Sequence, residues 1–137
     1  GGIGCLTVLT SLQRDETEAQ VLPEVREIIA AMFARERPIG GIGYGAAVAA
    51  FVLRSRASWI ITVGDDAKIV ELFKNIGCDV IKVQPHEVVF DPDTHIYSAS
   101  GTSPKLSLYR GALGIEVLVQ EILHCKAHKK DIAKKKE

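Results

Sequence analysis

Apolar positions along this chain follow two rhythms. From Val21 to Glu36, the residues Val21, Leu22, Val25, Ile28, Ile29, Met32 and Phe33 recur at three and four and share one helical face. Pro23 suits the first turn of that helix, where a backbone N–H would be unpaired anyway. Ala46 to Leu53 is small and apolar throughout, which predicts a closely packed helix. Ala67 to Ile76 repeats Ile69, Val70, Phe73 and Ile76 and closes on Gly77, a residue type that ends helices. The second rhythm is that of strands. Trp59 to Val63 is a continuous apolar run, as in a strand covered on both faces, and Val80 to Val83 is a shorter one. Val88–Phe90 and Ile96–Ser98 flank Asp91-Pro92-Asp93-Thr94, which is hairpin chemistry. Ser103-Pro104 reads as a cap and first turn for a long helix through Leu123.

Strands alternating with helices predict an α/β fold with a largely parallel core. The 137 residues make one domain. Glycine-rich turns are expected at Gly1–Gly4 and Gly40–Gly45, with Cys5 to Gln20 as loop or loose helix between them and the Val21 helix. The strand complement is thin: two core strands, a hairpin and a stub at Pro38-Ile39. A buried parallel sheet needs more neighbours than that. The chain therefore reads as the second half of an α/β domain, to be completed by an upstream segment, a second copy or another subunit.

Composition narrows the class. A hydrophobic fraction of 47% with 25% charged residues is that of a globular chain and excludes a disordered one. No apolar run is long enough to span a bilayer, and no signal-peptide pattern opens the sequence. Net charge is +0 but unevenly placed. Residues 126–137 hold six lysines against Asp131 and Glu137, so this tail carries about +4 and residues 1–125 about −4. A mildly acidic body argues against a dedicated nucleic-acid surface, which leaves the tail as the only segment that could make such a contact. Cys5, Cys78 and Cys125 are odd in number and lack any metal-ligand spacing, and His86, His95, His124 and His128 are scattered. Reduced thiols in an intracellular compartment, no metal site and no cofactor are the expectation.

The glycine cluster supports two readings. Gly41-x-Gly43-x-x-Ala46 fits a dinucleotide fingerprint, with Asp65 and Asp66 beyond the next strand and Asp66 placed for a ribose. Against it, the preceding strand would be Arg37-Pro38-Ile39, short and proline-bearing. The alternative is a strand–turn–helix elbow, in which a strained turn presents a nucleophile above the sheet. The apex would be Gly43. Asp65 and Asp66 would otherwise cap the following helix, and Ser98, Ser100, Thr102 and Ser103 form a polar loop of turn and cap residues. Cys5 reads as a buried thiol rather than a displaced nucleophile.

Glu24 to Leu53 resembles the PfpI-type, class I glutamine-amidotransferase-like superfamily, nearest its mitochondrial and bacterial glyoxalase-like, lycopene-enhancing branch. The matching pieces are Gly1-Gly2-Ile3-Gly4, Val25 to Glu36, Arg37-Pro38-Ile39-Gly40, the elbow Gly41 to Ala46, and Ala47 to Leu53. Asn75-Ile76-Gly77 with Val80, Glu87 to Ser98 and Gly114 to Leu123 continue the likeness. The resemblance implies a flavodoxin-like three-layer sandwich over residues 1–125, lacking its first strands, and a pocket at Gly2, Gly43 and Tyr44. It also puts Gly43 where the family has its nucleophilic Cys, and Val89 where some members have a His. The implied role is that of a non-catalytic structural or interaction subunit, mitochondrial by resemblance. The enzyme alternative is a glyoxalase- or amidohydrolase-like activity completed by residues outside this chain.

Overall fold

The computed structural model describes residues 9–11, 20–54, 59–75, 77–101 and 107–134, the last nine by backbone alone. Helix α1 spans Pro23–Ala34, with the proline in its first turn as expected, and the chain leaves it through Arg37, whose N–H donates to Met32 O at 2.9 Å. Its apolar stripe is only partly used. Val25, Ile29 and Phe33 pack on the core, while Ile28 is 65% exposed.

Strand β1 is Ile39–Ile42, which corrects the stub at Pro38-Ile39: the strand runs on through two glycines. Glycine disfavours strands in general, but this strand is squeezed from both sides. A Cβ on Gly40 would stand 2.6 Å from Ile122 Cδ1 on one face, and one on Gly41 would stand 2.3 Å from Ala46 Cα on the other. At Gly41 the backbone of α2 leaves a side chain no room, and at Gly40 the end of the Ile122 side chain would have to give way.

Helix α2, Tyr44–Leu53, is buried along nearly its whole length. Strand β2 is Trp59–Ile61, with Thr62 and Val63 buried beyond it. Helix α3 is Ala67–Asn75. Strand β3 is Cys78–Val80, two residues earlier than the apolar run Val80–Val83 implied, because Cys78 supplies the buried position opposite Trp59 and Ile81 turns outward. The hairpin forms as Val88–Asp91 (β4) and Ile96–Ala99 (β5). Helix α4, Leu108–Lys134, does not stop at Leu123. Lys and Ala favour helix, and no Gly or Pro stands in 124–134 to break it. Ser103-Pro104, Cys5 and the Gly1–Gly4 turn lie outside the described residues.

The sheet order is β1–β5–β4, with β1 parallel and β4 antiparallel to β5, and β2 pairs parallel with β3 in a ladder of its own. Helix α4 covers one face of β1 and β5, and α2 covers the other. This is a three-layer, mostly parallel α/β fold. Its core gathers Leu53, Trp59, Ile61, Phe73 and Ile96.

Two buried side chains join the ladders where main-chain pairing stops. Asp91 Oδ2 accepts the Ile60 N–H at 3.0 Å, while its Oδ1 accepts those of Asp93 and Thr94 at 2.9 and 3.2 Å. Ser98 Oγ accepts the Thr62 N–H at 3.0 Å and donates to Val89 O at 3.3 Å. Ser98 is thus a buried strand residue and not part of a polar loop.

Burial and the neighbouring Asp79 push the Cys78 thiol up to about 12. The native fold therefore holds its proton more tightly than the unfolded chain does. That contribution is intact below pH ~9 and is lost as the pH rises toward 12. Tyr97, also raised to about 12, chiefly by burial, adds to the same alkaline limb. Urea titrations should show stability falling between pH ~9 and ~11, and Cys78→Ser should flatten the early part of that fall. At neutral pH, iodoacetamide should label Cys78 only at the rate of unfolding. Among the described residues no helix is long and apolar enough to cross a membrane.

Candidate functional site

The elbow predicted at Gly43 is present. At the end of β1 the chain reverses through Gly43 at φ 52° and ψ −123°, and α2 begins at Tyr44. A side chain is strained in that left-handed conformation, and glycine is not. The Gly43 N–H donates to Ala99 O at 2.8 Å, which anchors the apex to the end of β5, and the Ala46 N–H closes the first turn on Gly43 O at 3.2 Å. Gly41 makes the turn tight by letting β1 approach the backbone of Ala46.

The ends of β2 and β5 face this apex. Cβ atoms added to Gly43 and Gly64 would meet the same carbonyl, Ser100 O, at 3.3 and 3.4 Å. Thr62 Oγ1 and Ser100 Oγ are 3.5 Å apart. Asp66 caps α3, its Oδ1 accepting the N–H groups of Lys68 at 3.0 Å and Ile69 at 3.5 Å, as its position after β2 predicts. Its Oδ2 accepts from the Tyr44 hydroxyl at 3.3 Å. Burial raises the Tyr44 phenol above its ordinary value, and Asp66 and Asp65 add to the shift. A cavity of about 270 Å³ opens beside this group, lined by Gly64, Asp65, Val70, Lys74, Val80 and Lys82 among others. It lies beyond the carboxyl ends of β2 and β3, the side on which open parallel sheets take ligands.

The structure thus brings Gly43, Tyr44 and Asp66 together, with Gly41 behind them in the strand. Gly2 lies outside the described residues. Thr62 is an addition that spacing alone did not single out, and Ser100, expected only as a turn residue, stands beside it. Val89, where the resemblance would have a His, is buried in β4. The described histidine side chains are engaged elsewhere or exposed: His95 meets Phe90 edge-on, His124 Nδ1 lies 2.8 Å from Gln120 O, and His86 is at the surface. Among the described residues no group of three His, Cys, Asp or Glu is placed to hold a metal. Gly43 itself therefore presents no side chain; beside it stand the Tyr44 phenol and the Asp66 carboxylate, the latter hydrogen-bonded on both oxygens.

Three layers, parallel strands and an elbow at a central turn make this an amidotransferase-like α/β fold of the flavodoxin type. The chain is similar to the crystal structure of an isoprenoid biosynthesis protein with an amidotransferase-like domain from Ehrlichia chaffeensis. The TM-score is 0.78 and the identity 25%, over 90% of this chain and 56% of that one. The chain thus spans little more than half the length of that protein. No protein-family model and no curated protein matches the sequence.

Proposed function

We propose that this chain is a catalytically silent amidotransferase-like domain that acts as a structural or interaction subunit of a larger assembly. The observation that carries the reading is Gly43 at the apex of the elbow. Nucleophilic catalysis needs a thiol or hydroxyl that a base can activate; Gly43 has no side chain, and the Tyr44 phenol that donates to Asp66 is raised above its ordinary value by burial and so holds its proton. Thr62 and Ser100 hydroxyls lie near the apex, but among the described residues neither is hydrogen-bonded to a histidine or a carboxylate. Support for the interaction role comes from apolar side chains left open at the start of α1, on α1 and on β1: Leu22, Ile28 and Ile42 are 43%, 65% and 42% exposed.

Purified protein assayed against methylglyoxal and activated esters should show no turnover above buffer. Turnover that persists in Cys5→Ala would expose a nucleophile elsewhere, and turnover abolished by Cys5→Ala would identify that thiol. Either result overturns the silent reading. Calorimetry with NAD and NADP should give no binding heat, because the Gly43 N–H that a pyrophosphate would need is donated to Ala99 O and Asp66 already accepts from Tyr44, Lys68 and Ile69. Micromolar binding that disappears in Asp66→Ala would instead assign the Gly41–Ala46 turn to a dinucleotide.

A further inference from the structure

We infer that the groove between the β4–β5 hairpin and α4 receives the Lys-rich end of α4 from a second copy of this chain. The inference is independent of whether the elbow is silent.

Helix α4 covers the sheet unevenly. Leu118 and Ile122 pack against Tyr97 and Ala99 of β5, but β4 at the edge is less covered. Phe90, paired across the hairpin with Tyr97, stays 43% exposed although its ring stacks on Tyr97 with centroids 4.4 Å apart. These two rings floor a groove of about 540 Å³, walled by Val83, His86 and Glu87 on one side and by Val117 and Glu121 of α4 on the other. The loop that forms the first wall is held close to α4 at Gly114, where a Cβ would stand 2.3 Å from Pro85 O. The groove is therefore shaped by packing and not by a chance arrangement of surface side chains.

Its chemistry selects a cation. Glu87 and Glu121 face it, together with His86, and among the described residues no Lys or Arg lines it. The Gln84 N–H donates to Glu87 Oε2 at 2.7 Å and orients that carboxylate. An ammonium between carboxylates and over aromatic faces is attracted by both, and a lysine stem covers the ring surface that water would otherwise meet. The strongly basic stretch of this sequence is 126–137, with six lysines and about +4 of net charge opposite an acidic body. The backbone of α4 runs out past the chain's own groove. Cys125 packs against the Tyr97 cluster, and α4 continues unbroken to Lys134, which takes the next turns roughly 13 Å further along the helix axis. A second copy related by a two-fold axis can place each Lys-rich end on the other's groove, so both sites are filled at once.

Sedimentation equilibrium of the full chain tests this. A dimer is expected at low salt, weakened about tenfold or more at ~0.5 M NaCl, since several exposed ion pairs are screened together. The double variant Glu87→Gln/Glu121→Gln, both at exposed positions, should melt like the parent and dimerise about tenfold more weakly. Charge exchange supplies the specific readout. A Glu87→Lys/Glu121→Lys chain and a Lys126→Glu/Lys129→Glu/Lys130→Glu chain should each be monomeric alone and associate when mixed. A monomer at every concentration, or a dimer indifferent to the Glu87 and Glu121 changes, overturns the inference. Failure of the exchanged pair to associate overturns it as well.

Discussion

Replacing Asp91 with alanine is expected to destabilise the fold by about 3–5 kcal/mol, which for a domain of this size lowers the melting temperature by roughly 10–15 °C. The carboxylate is 1% exposed and accepts three backbone N–H groups, two within the hairpin turn and one from Ile60 on the other ladder. Hydrogen bonds to a charged group contribute about 1.5–3 kcal/mol each, and donors left buried without a partner add their own desolvation cost. The effects are not additive, which is why the estimate stays below the sum. Asp91→Asn should lose less, since its amide oxygen can still serve the Asp93 and Thr94 N–H groups while its NH₂ cannot accept from Ile60. Equilibrium urea unfolding measures both variants. An Asp91→Ala protein within ~1 kcal/mol of the parent would show that the carboxylate is not the tie described here.

The second large effect is expected at Gly41. A methyl group there would stand 2.3 Å from Ala46 Cα and 2.6 Å from Ala46 N, both backbone atoms that cannot swing aside. Gly41→Ala should therefore force β1 and α2 apart and cost about 3 kcal/mol or more, above the usual range for overpacking because the backbone must move. Gly45, four residues on, is the internal control. A Cβ there meets nothing within 4 Å, and the residue lies in the first turn of α2. Gly45→Ala should leave stability unchanged or raise it by about 0.5–1 kcal/mol through helix propensity and a stiffer unfolded chain. Paired thermal melts settle the matter. Equal effects at the two positions would mean that the close approach of β1 to α2 does not constrain the elbow.

Much of the architecture was legible in the chain itself. The apolar run from Trp59, the hairpin around Asp91-Pro92 and the helical stripe behind Pro23 each form where their periodicity places them. The elbow was legible as a cluster of small residues, and Asp66 as the cap of the next helix. What escaped was set by tertiary contact. Gly40 and Gly41 carry no strand signal, because their role is to be absent as side chains between two helices. Cys78 begins β3 because the partner strand offers Trp59 a buried neighbour, which no local pattern reveals. Ser98 and Asp91 look like turn residues by type. Only the arrangement of two ladders side by side gives each a backbone N–H to hold.

That arrangement has a consequence for how the molecule comes apart. Between β2 and the β4–β5 hairpin, the described bonds run through Asp91 and Ser98 side chains and not through a continuous main-chain ladder. Residues 59–80, comprising β2, α3 and β3, therefore form a segment closed on itself by its own parallel pairing. Opening it would also expose Trp59, Ile61 and Phe73, which share the core with Leu53 and Ile96, so the segment comes away as one unit and takes that core with it. The amide protons of this segment are then expected to exchange with solvent as one group.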